Sequence, residues 1–330
     1  MGRARIDIRT IVPLALLAVL VFGVPLLSAD RYLLKVLTFV GVNVIIVTGM
    51  ALLFGYAGQV SLGHAAFYGI GAYTSAYVVT SLGWPWLAGV AAAIVLTSVG
   101  GLLLALPSLR LKGHYLAMAT LGFGEIMRVV FVEARGLTGG PDGFSGIPFP
   151  SLVGISIDSA GGNYWLIWGV VTVVLAFSAN LVRSRVGRAM RALHGSESGA
   201  LACGIDLTGL KVRVFVISAA LAGLAGALYA HVVGFISPST FSLHVSVLLV
   251  AMAVLGGTRS LAGPVLAAIL LTTIPFADAV IPGLSRSALE TIQEWQEDVY
   301  GLTIIAVMIF VPGGLAGALR RISALGRRAG

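Results

Sequence analysis

The sequence predicts an all-α protein that crosses a membrane about ten times, with both termini on the cytoplasmic side. Three observations carry that expectation. Of the 330 residues, 58% are apolar and only 10% charged, and mean hydropathy is +1.00; an average soluble domain carries roughly 25% charged residues. Apolar runs of about 20 residues, enough for a helix to cross the hydrocarbon core, recur along the chain. Lys and Arg fall between those runs with a strong bias to one side, as insertion into a membrane requires.

The runs lie at 11–29, 33–54, 62–81, 86–106, 115–134, 164–182, 211–234, 243–256, 260–279 and 299–317. Arg3, Arg5 and Arg9 precede the first run, and no small-residue cleavage site follows it. It therefore reads as a retained helix entered from the inside. The run 243–256 is short and bounded by glycine, so it and 260–279 could form one broken element. Counted from an inner N-terminus, ten spans put the basic cluster of 183–213, Arg110, Lys112, Arg259 and the C-terminal arginines inside. Only Arg31, Lys35, Arg128, Arg135 and Arg286 fall outside. Trp84, Trp86, Trp165, Trp168 and Trp295 all come near the outer interface, where an aromatic belt belongs.

The same topology accounts for the net charge of +8 without invoking nucleic acid, because the basic residues sit beside the spans. The 43 glycines suit helices that must approach closely where lipid offers no hydrophobic drive. Cys203 is the single cysteine, which excludes an intrachain disulfide, and its place in the basic loop predicts a reduced thiol.

Three loops interrupt the pattern of a single transmembrane domain over 1–330. The loop 183–213 has four arginines in quick succession, Arg183, Arg185, Arg188 and Arg191. In its second half Ser196 can cap a short helix with Glu197 in the positive first turn, and Gly204 can stop it. Such a helix suits docking on a soluble protein; a plain solvated loop that fixes topology is the other reading. On the outer side, 135–163 is rich in Gly and Pro and should form ordered turns rather than a domain. There 280–298 places Glu290, Glu294, Glu297 and Asp298 at mostly helical spacing, as in a short acidic surface helix.

Within the spans, polar residues concentrate in 54–73. Asn43, Gln59, Ser61 and His64 need partners at hydrocarbon depth, and Gly55, Gly58 and Gly63 weaken the helix there. A broken segment lining a translocation path is one reading; close helix packing with bonded polar groups is the other. Glu125 and Arg128 stand three apart on one helix and can pair, as a structural element or a gate along the path. The rows Ala219, Gly223, Ala227 and Ala222, Gly226, Ala230 repeat at intervals of four and mark a tight helix contact. His231 and His244 fall near span ends and read as interfacial.

Enzyme signatures fare badly. No glycine-rich phosphate loop precedes Lys35, Lys112 or Lys211, and no HExxH pair exists. Gly143-Phe-Ser-Gly146 has the form of an intramembrane protease serine motif, but it falls in the Gly/Pro loop rather than at a helix start.

Long ordered blocks then carry a family resemblance: GYAGQVSLGHAAFYGIGAYTSAY (55–77), LKGHYLAMATLGFGEIMR (111–128), LTGGPDGFSGI (137–147), SRVGRAMRALHGSESGALACGID (184–206) and FVISAALAGLAGALYAH (215–231). Together, over about residues 35–275, they resemble the LivM-type permeases of bacterial branched-chain amino-acid ABC transporters. The resemblance implies a subunit of the bacterial inner membrane with no cofactor of its own, ATP being bound by two ATPase subunits. A second permease of LivH type and a periplasmic binding protein carrying leucine, isoleucine or valine complete the implied assembly. It also lays the ATPase-coupling segment on Ser196, Glu197, Ser198, Gly199, Ala200, Leu201, Ala202, Cys203 and Gly204, flanked by Arg191. The family usually reads E-x-A-A-E-A-x-G-I there; this chain has Gly199 and Leu201 at the third and fifth positions, so the second acidic contact is missing. Gly139, Gly140, Pro141, Asp142 and Gly143 form the matching periplasmic block. Permeases for urea and short-chain amides resemble the chain less well at TLGFGEI and LTGGPDG. A proton-coupled secondary transporter and an intramembrane protease are the alternatives from other classes.

Overall fold

The computed structural model describes residues 30–108, 114–152, 155–257, 260–280, 294–310 and 314–317. The run 11–29 with the N-terminal arginines, Arg110, Lys112, Arg259, most of the acidic segment 280–298 with Arg286, and the C-terminal arginines lie outside the described residues.

The described residues are mostly helical, and each apolar run from residue 33 onward overlaps a helix there. Helix α1 (Arg31–Met50) starts at Asp30, whose carboxylate accepts from the Tyr32 amide. It continues into a π-helical turn, Ala51–Tyr56. After a non-helical stretch come α2 (His64–Thr80), α3 (Trp86–Ser108) and α4 (His114–Glu133). A single helical turn, α5 (Arg135–Thr138), opens the long loop that leads to α6 (Ala160–Arg183). Two short helices, α7 (Arg185–Gly195) and α8 (Glu197–Ala202), precede the longest, α9 (Leu207–Val233). The rest comprises α10 (Leu243–Gly256), α11 (Ala262–Thr273), the turn α12 (Ala277–Val280) and α13 (Gln296–Phe310). Among the described residues, five helical stretches are long and apolar enough to cross a membrane: 31–56, 86–106, 114–133, 160–183 and 207–233. Helices α10 and α11 are shorter apolar arms packed on each other at a glycine break, where a Cβ on Gly256 would strike the backbone of Gly263 and Pro264.

The centre of the molecule is built from small residues. Helix α9 packs along α2 and α3. A Cβ on Gly71 would land on the Gly223 backbone, and one on Gly226 would land on the Tyr68 carbonyl. The two rows of Ala and Gly on α9 therefore bring backbones together, and dispersion between close helices replaces the missing hydrophobic drive. Helix α1 runs through this core, with 89% of its apolar window buried, against 28% for α3 and 17% for α4. Those two outer helices turn most of their surface away from the chain's own interior.

The loop after α4 is ordered by turns and hydrogen bonds. Thr138 Oγ1 donates to the Phe131 carbonyl (2.8 Å) and accepts from the Gly140 amide (3.1 Å). Gly139, Gly140 and Gly143 all have positive φ, which residues with a side chain adopt at a cost. Strand β1 (Phe144–Ser145) pairs antiparallel with β4 (Phe235–Ile236), and β2 (Ser151–Leu152) pairs with β3 (Ile155–Ser156). His231 locks this loop to the helices: Nδ1 meets the Pro148 carbonyl at 2.7 Å and Nε2 meets Ser75 Oγ at 2.9 Å. It is fully buried, not interfacial. Trp86 and Trp168 are likewise buried, whereas Trp84, Trp165 and Trp295 are exposed as a belt requires. The Trp168 indole donates to the Leu37 carbonyl at 3.2 Å, so those two tryptophans serve helix packing.

Candidate functional site

The basic loop folds into two capped helices. Ser184 opens α7, its hydroxyl accepting from the amides of Val186 and Gly187. Arg188 and Arg191 reach back to the carbonyls of Arg183 and Val182 at 3.3 and 3.0 Å, so two of the arginines cap the C-terminal end of α6. Met190 and Leu193 bury the apolar face of α7.

Ser196 then caps α8 by accepting from the Gly199 amide at 3.1 Å, and its hydroxyl also meets that of Ser198. The helix ends with Ile205 N–H on the Ala200 carbonyl, Gly204 N–H on the Leu201 carbonyl and Gly204 at φ +74°, the six-to-one and five-to-two pair of a Schellman stop. Glu197 forms an ion pair with Lys211 of α9, and the Lys211 side chain is only 11% exposed. The first turn of this short helix is thus tied to a long apolar helix. Its outward surface is Ser198, Gly199, Leu201, Ala202 and the free thiol of Cys203, with Leu201 at 59% exposure. Ala200 is a correction to the expected contact set. It is 2% exposed and packs into the chain's own core, so its small size serves internal packing.

The polar break follows from the same loop. Beyond the π-helical turn, Gly58 adopts φ +69°. A Cβ there would stand 2.9 Å from His194 Nδ1, at the end of α7. The chain then runs without helix to Gly63, where a Cβ would strike the Thr120 carbonyl of α4. The Leu62 amide donates to Thr120 Oγ1 at 2.9 Å. His64 starts α2 fully buried, Nδ1 at 2.9 Å from Ser61 Oγ and Nε2 at 2.7 Å from Ser218 Oγ on α9. The Ala65 amide, free at the helix start, donates to Ser246 of α10 at 2.9 Å. Asn43 Nδ2 donates to Thr272 Oγ1 at 2.9 Å.

The residues expected along a path therefore divide. Asn43, Ser61 and His64 are held by partners within the chain, and for them the packing reading matches the geometry. The Gln59 amide oxygen is buried without a hydrogen-bond partner among the described residues, a group that protein interiors rarely leave unmet. Glu125 and Arg128 do pair, Oε2 to Nε at 2.8 Å, but their side chains are 40% and 47% exposed. The pair looks outward from the helix that this chain covers least. Sequence reasoning missed Thr120, Ser218, Ser246 and Thr272. Their one signal was a hydroxyl inside an apolar run, too common to single out before the partner helix is known. Ser145 lies exposed in the β1–β4 ladder opposite Phe235, and the His231 ring is taken by Ser75 and Pro148.

Comparison with known proteins gives this geometry a family. Residues 32–310 match the family described as the permease component of branched-chain amino acid transport systems. The chain is 33% identical over 326 residues to the high-affinity branched-chain amino acid transport system permease protein LivM of Salmonella typhimurium, covering 92% of this chain and 74% of the relative. It is 34% identical, with the same coverage, to the LivM protein of Escherichia coli. The autoinducer 2 import system permease protein LsrC of Yersinia enterocolitica is 27% identical over 218 residues, 64% of this chain and 56% of that relative. No solved structure matches. The matched length and the apolar spans that fill it establish a membrane protein that belongs to the family of branched-chain amino acid transport permease components, of LivM type.

Proposed function

We propose that this chain is a membrane permease subunit of an ATP-driven importer for branched-chain amino acids, seated in a bacterial inner membrane. Its assembly comprises a second permease of LivH type, two ATPase subunits and a periplasmic binding protein that delivers the substrate. In this reading the chain is one transmembrane domain of ten spans with both ends inside. The loops 135–163, with Gly139–Gly143, and 280–298 face the binding protein. The loop 183–213 faces the ATPases.

The observation that carries the reading is α8. Movement driven by ATP has to reach the spans through a segment that touches both bodies. Helix α8 is fixed to the membrane helices by the Glu197–Lys211 pair and the buried Ala200, and it presents Leu201 outward. An apolar residue held on a rigid, capped turn is a fitting knob for a cleft on a soluble protein. The missing second acidic residue makes that knob apolar where other members place charge.

Leu201→Asp tests it. The substitution sits on an exposed side chain, so insertion and thermal stability should stay at wild-type level. ATP-dependent uptake should fall at least about tenfold, the order expected when a buried interface anchor is replaced by an unpaired charge, and the ATPase subunits should no longer co-purify. Wild-type uptake from the Leu201→Asp complex would reduce α8 to a topological anchor.

A further inference from the structure

A charged pair on the least covered face of an apolar helix needs an explanation that packing does not supply. Helix α4 is 20 residues long with mean hydropathy 1.5 over its apolar window, of which only 17% is buried. At about 1.5 Å per residue, Glu125 lies roughly 16 Å from the His114 end, close to the middle of the span, and Arg128 about one turn nearer the other end. Their surroundings on the helix are apolar: Met118, Ile126, Val129 and Val130 are all exposed. Ionised groups at that depth do not face lipid; they face protein or a water-filled route, and in transporters they mark the route.

Of the two residues, Glu125 also borders a small cleft, with Leu62, Ala65, Ser242 and Ser246, between the non-helical stretch ahead of α2 and the start of α10. Gly124 sits against the backbone of Leu62 and Gly63, while a Cβ on Gly122 would meet nothing within 4 Å. The face one turn before Glu125 is therefore bare, and a small molecule can lie along it.

We propose that Glu125 and Arg128 form a transit site for the charged end of a zwitterionic α-amino acid. The ammonium exchanges onto the Glu125 carboxylate and the carboxylate onto the Arg128 guanidinium, and the aliphatic side chain lies on the bare apolar face. This rests on the importer function proposed above and names what the path recognises. The physical advantage is charge balance. A joined pair is neutral, a zwitterion is neutral, and their exchange leaves no net charge in a region of low dielectric, where an isolated ion is costly. Each new contact is a charge-assisted hydrogen bond, the strong kind, and the planar Arg fork matches a carboxylate. Because the two residues sit a turn apart along the helix, the site has a direction: ammonium towards the middle of the span, carboxylate towards the Glu133 end. A pair kept only for structure prefers one order along the helix by no more than about 0.5 kcal/mol.

The test uses the complete transporter in proteoliposomes with leucine-loaded binding protein outside. Glu125→Gln and Arg128→Gln should each lower L-leucine uptake about tenfold or more, the loss of one charge-assisted bond, while the loaded binding protein still stimulates ATP hydrolysis. Glu125→Asp should restore most uptake. The double swap Glu125→Arg with Arg128→Glu keeps the ion pair and reverses its direction, so it should stay defective. A second arm keeps both charges: in a Cys203→Ala background, Gly122→Cys should react with a water-soluble thiol reagent. L-leucine should slow that reaction, and 4-methylpentanoate, which lacks the ammonium, should not. Wild-type uptake in either Gln variant or in the swap, or labelling of Gly122→Cys that leucine leaves unchanged, would overturn the proposal while the importer reading stands. A wild-type complex that imports no leucine would overturn the importer reading and this one with it.

Discussion

The His64 ring spends both nitrogens inside the chain, on Ser61 and on Ser218. That makes it a crosspiece between the start of α2 and the middle of α9. Replacing it by alanine strands two buried hydroxyls and opens a cavity. His64→Ala is expected to destabilise the protein by about 1–3 kcal/mol, read as a lower melting temperature of the purified protein in detergent. His64→Gln, which can still reach one serine, should lose less. Equal stability of His64→Ala and wild type would mean that the ring does not tie the two helices. The contrast with Glu125 is instructive. Both were legible as polar residues at membrane depth, but only side-chain surroundings separate a group satisfied inside the chain from one that faces out. The pairing of Glu125 with Arg128 followed from their spacing of three. Their exposure did not, because it depends on how little of α4 the other helices cover.

At the scale of elements, the stretch from Gly58 to Gly63 joins three parts that the sequence keeps far apart. Its first residue abuts His194 of α7, its last abuts Thr120 of α4, and its end feeds α2. It enters through a π-helical turn, a rare arrangement that is frequent at functional sites. A shift of α7 can reach α4 through these contacts. Gly58→Ala imposes both a left-handed backbone on a residue with a side chain and a clash with His194, so it should cost about 1–3 kcal/mol. His194→Ala removes the steric part alone. A double-mutant cycle should therefore show a smaller Gly58→Ala penalty in the His194→Ala background. An unchanged penalty would place the whole cost in the backbone angle and remove the α7 contact from the mechanism. Glycine at 55, 58 and 63 was a readable sign of a weak helix. What the break touches was not, since His194 and Thr120 lie more than fifty residues away in sequence.

On the scale of the whole molecule, the division of labour among helices follows from composition. Small residues in rows on α9 pulled α2 and α3 close, and those rows were visible in the sequence as repeats of four. The capped α8 was equally visible, because Ser, Glu and Gly stand at the positions that caps demand. The inward turn of Ala200 was hidden, since alanine fits either face of a short helix. So was the burial of His231, Trp86 and Trp168, which sit at span ends where polar and aromatic residues usually meet the interface. The resulting body has a rigid centre, a capped helix at its basic end and two little-covered helices, α3 and α4. A second permease subunit lying along α4 would enclose the Glu125–Arg128 pair and make a single chain insufficient for transport.

The most direct measurement is L-leucine uptake by proteoliposomes holding this chain with the proposed second permease, ATPases and binding protein, run beside the same vesicles without the ATPases. The account predicts accumulation that needs ATP on the ATPase side and disappears when the ATPases are left out. Leucine accumulation by this chain alone, without ATPases and driven by a proton gradient, would contradict it.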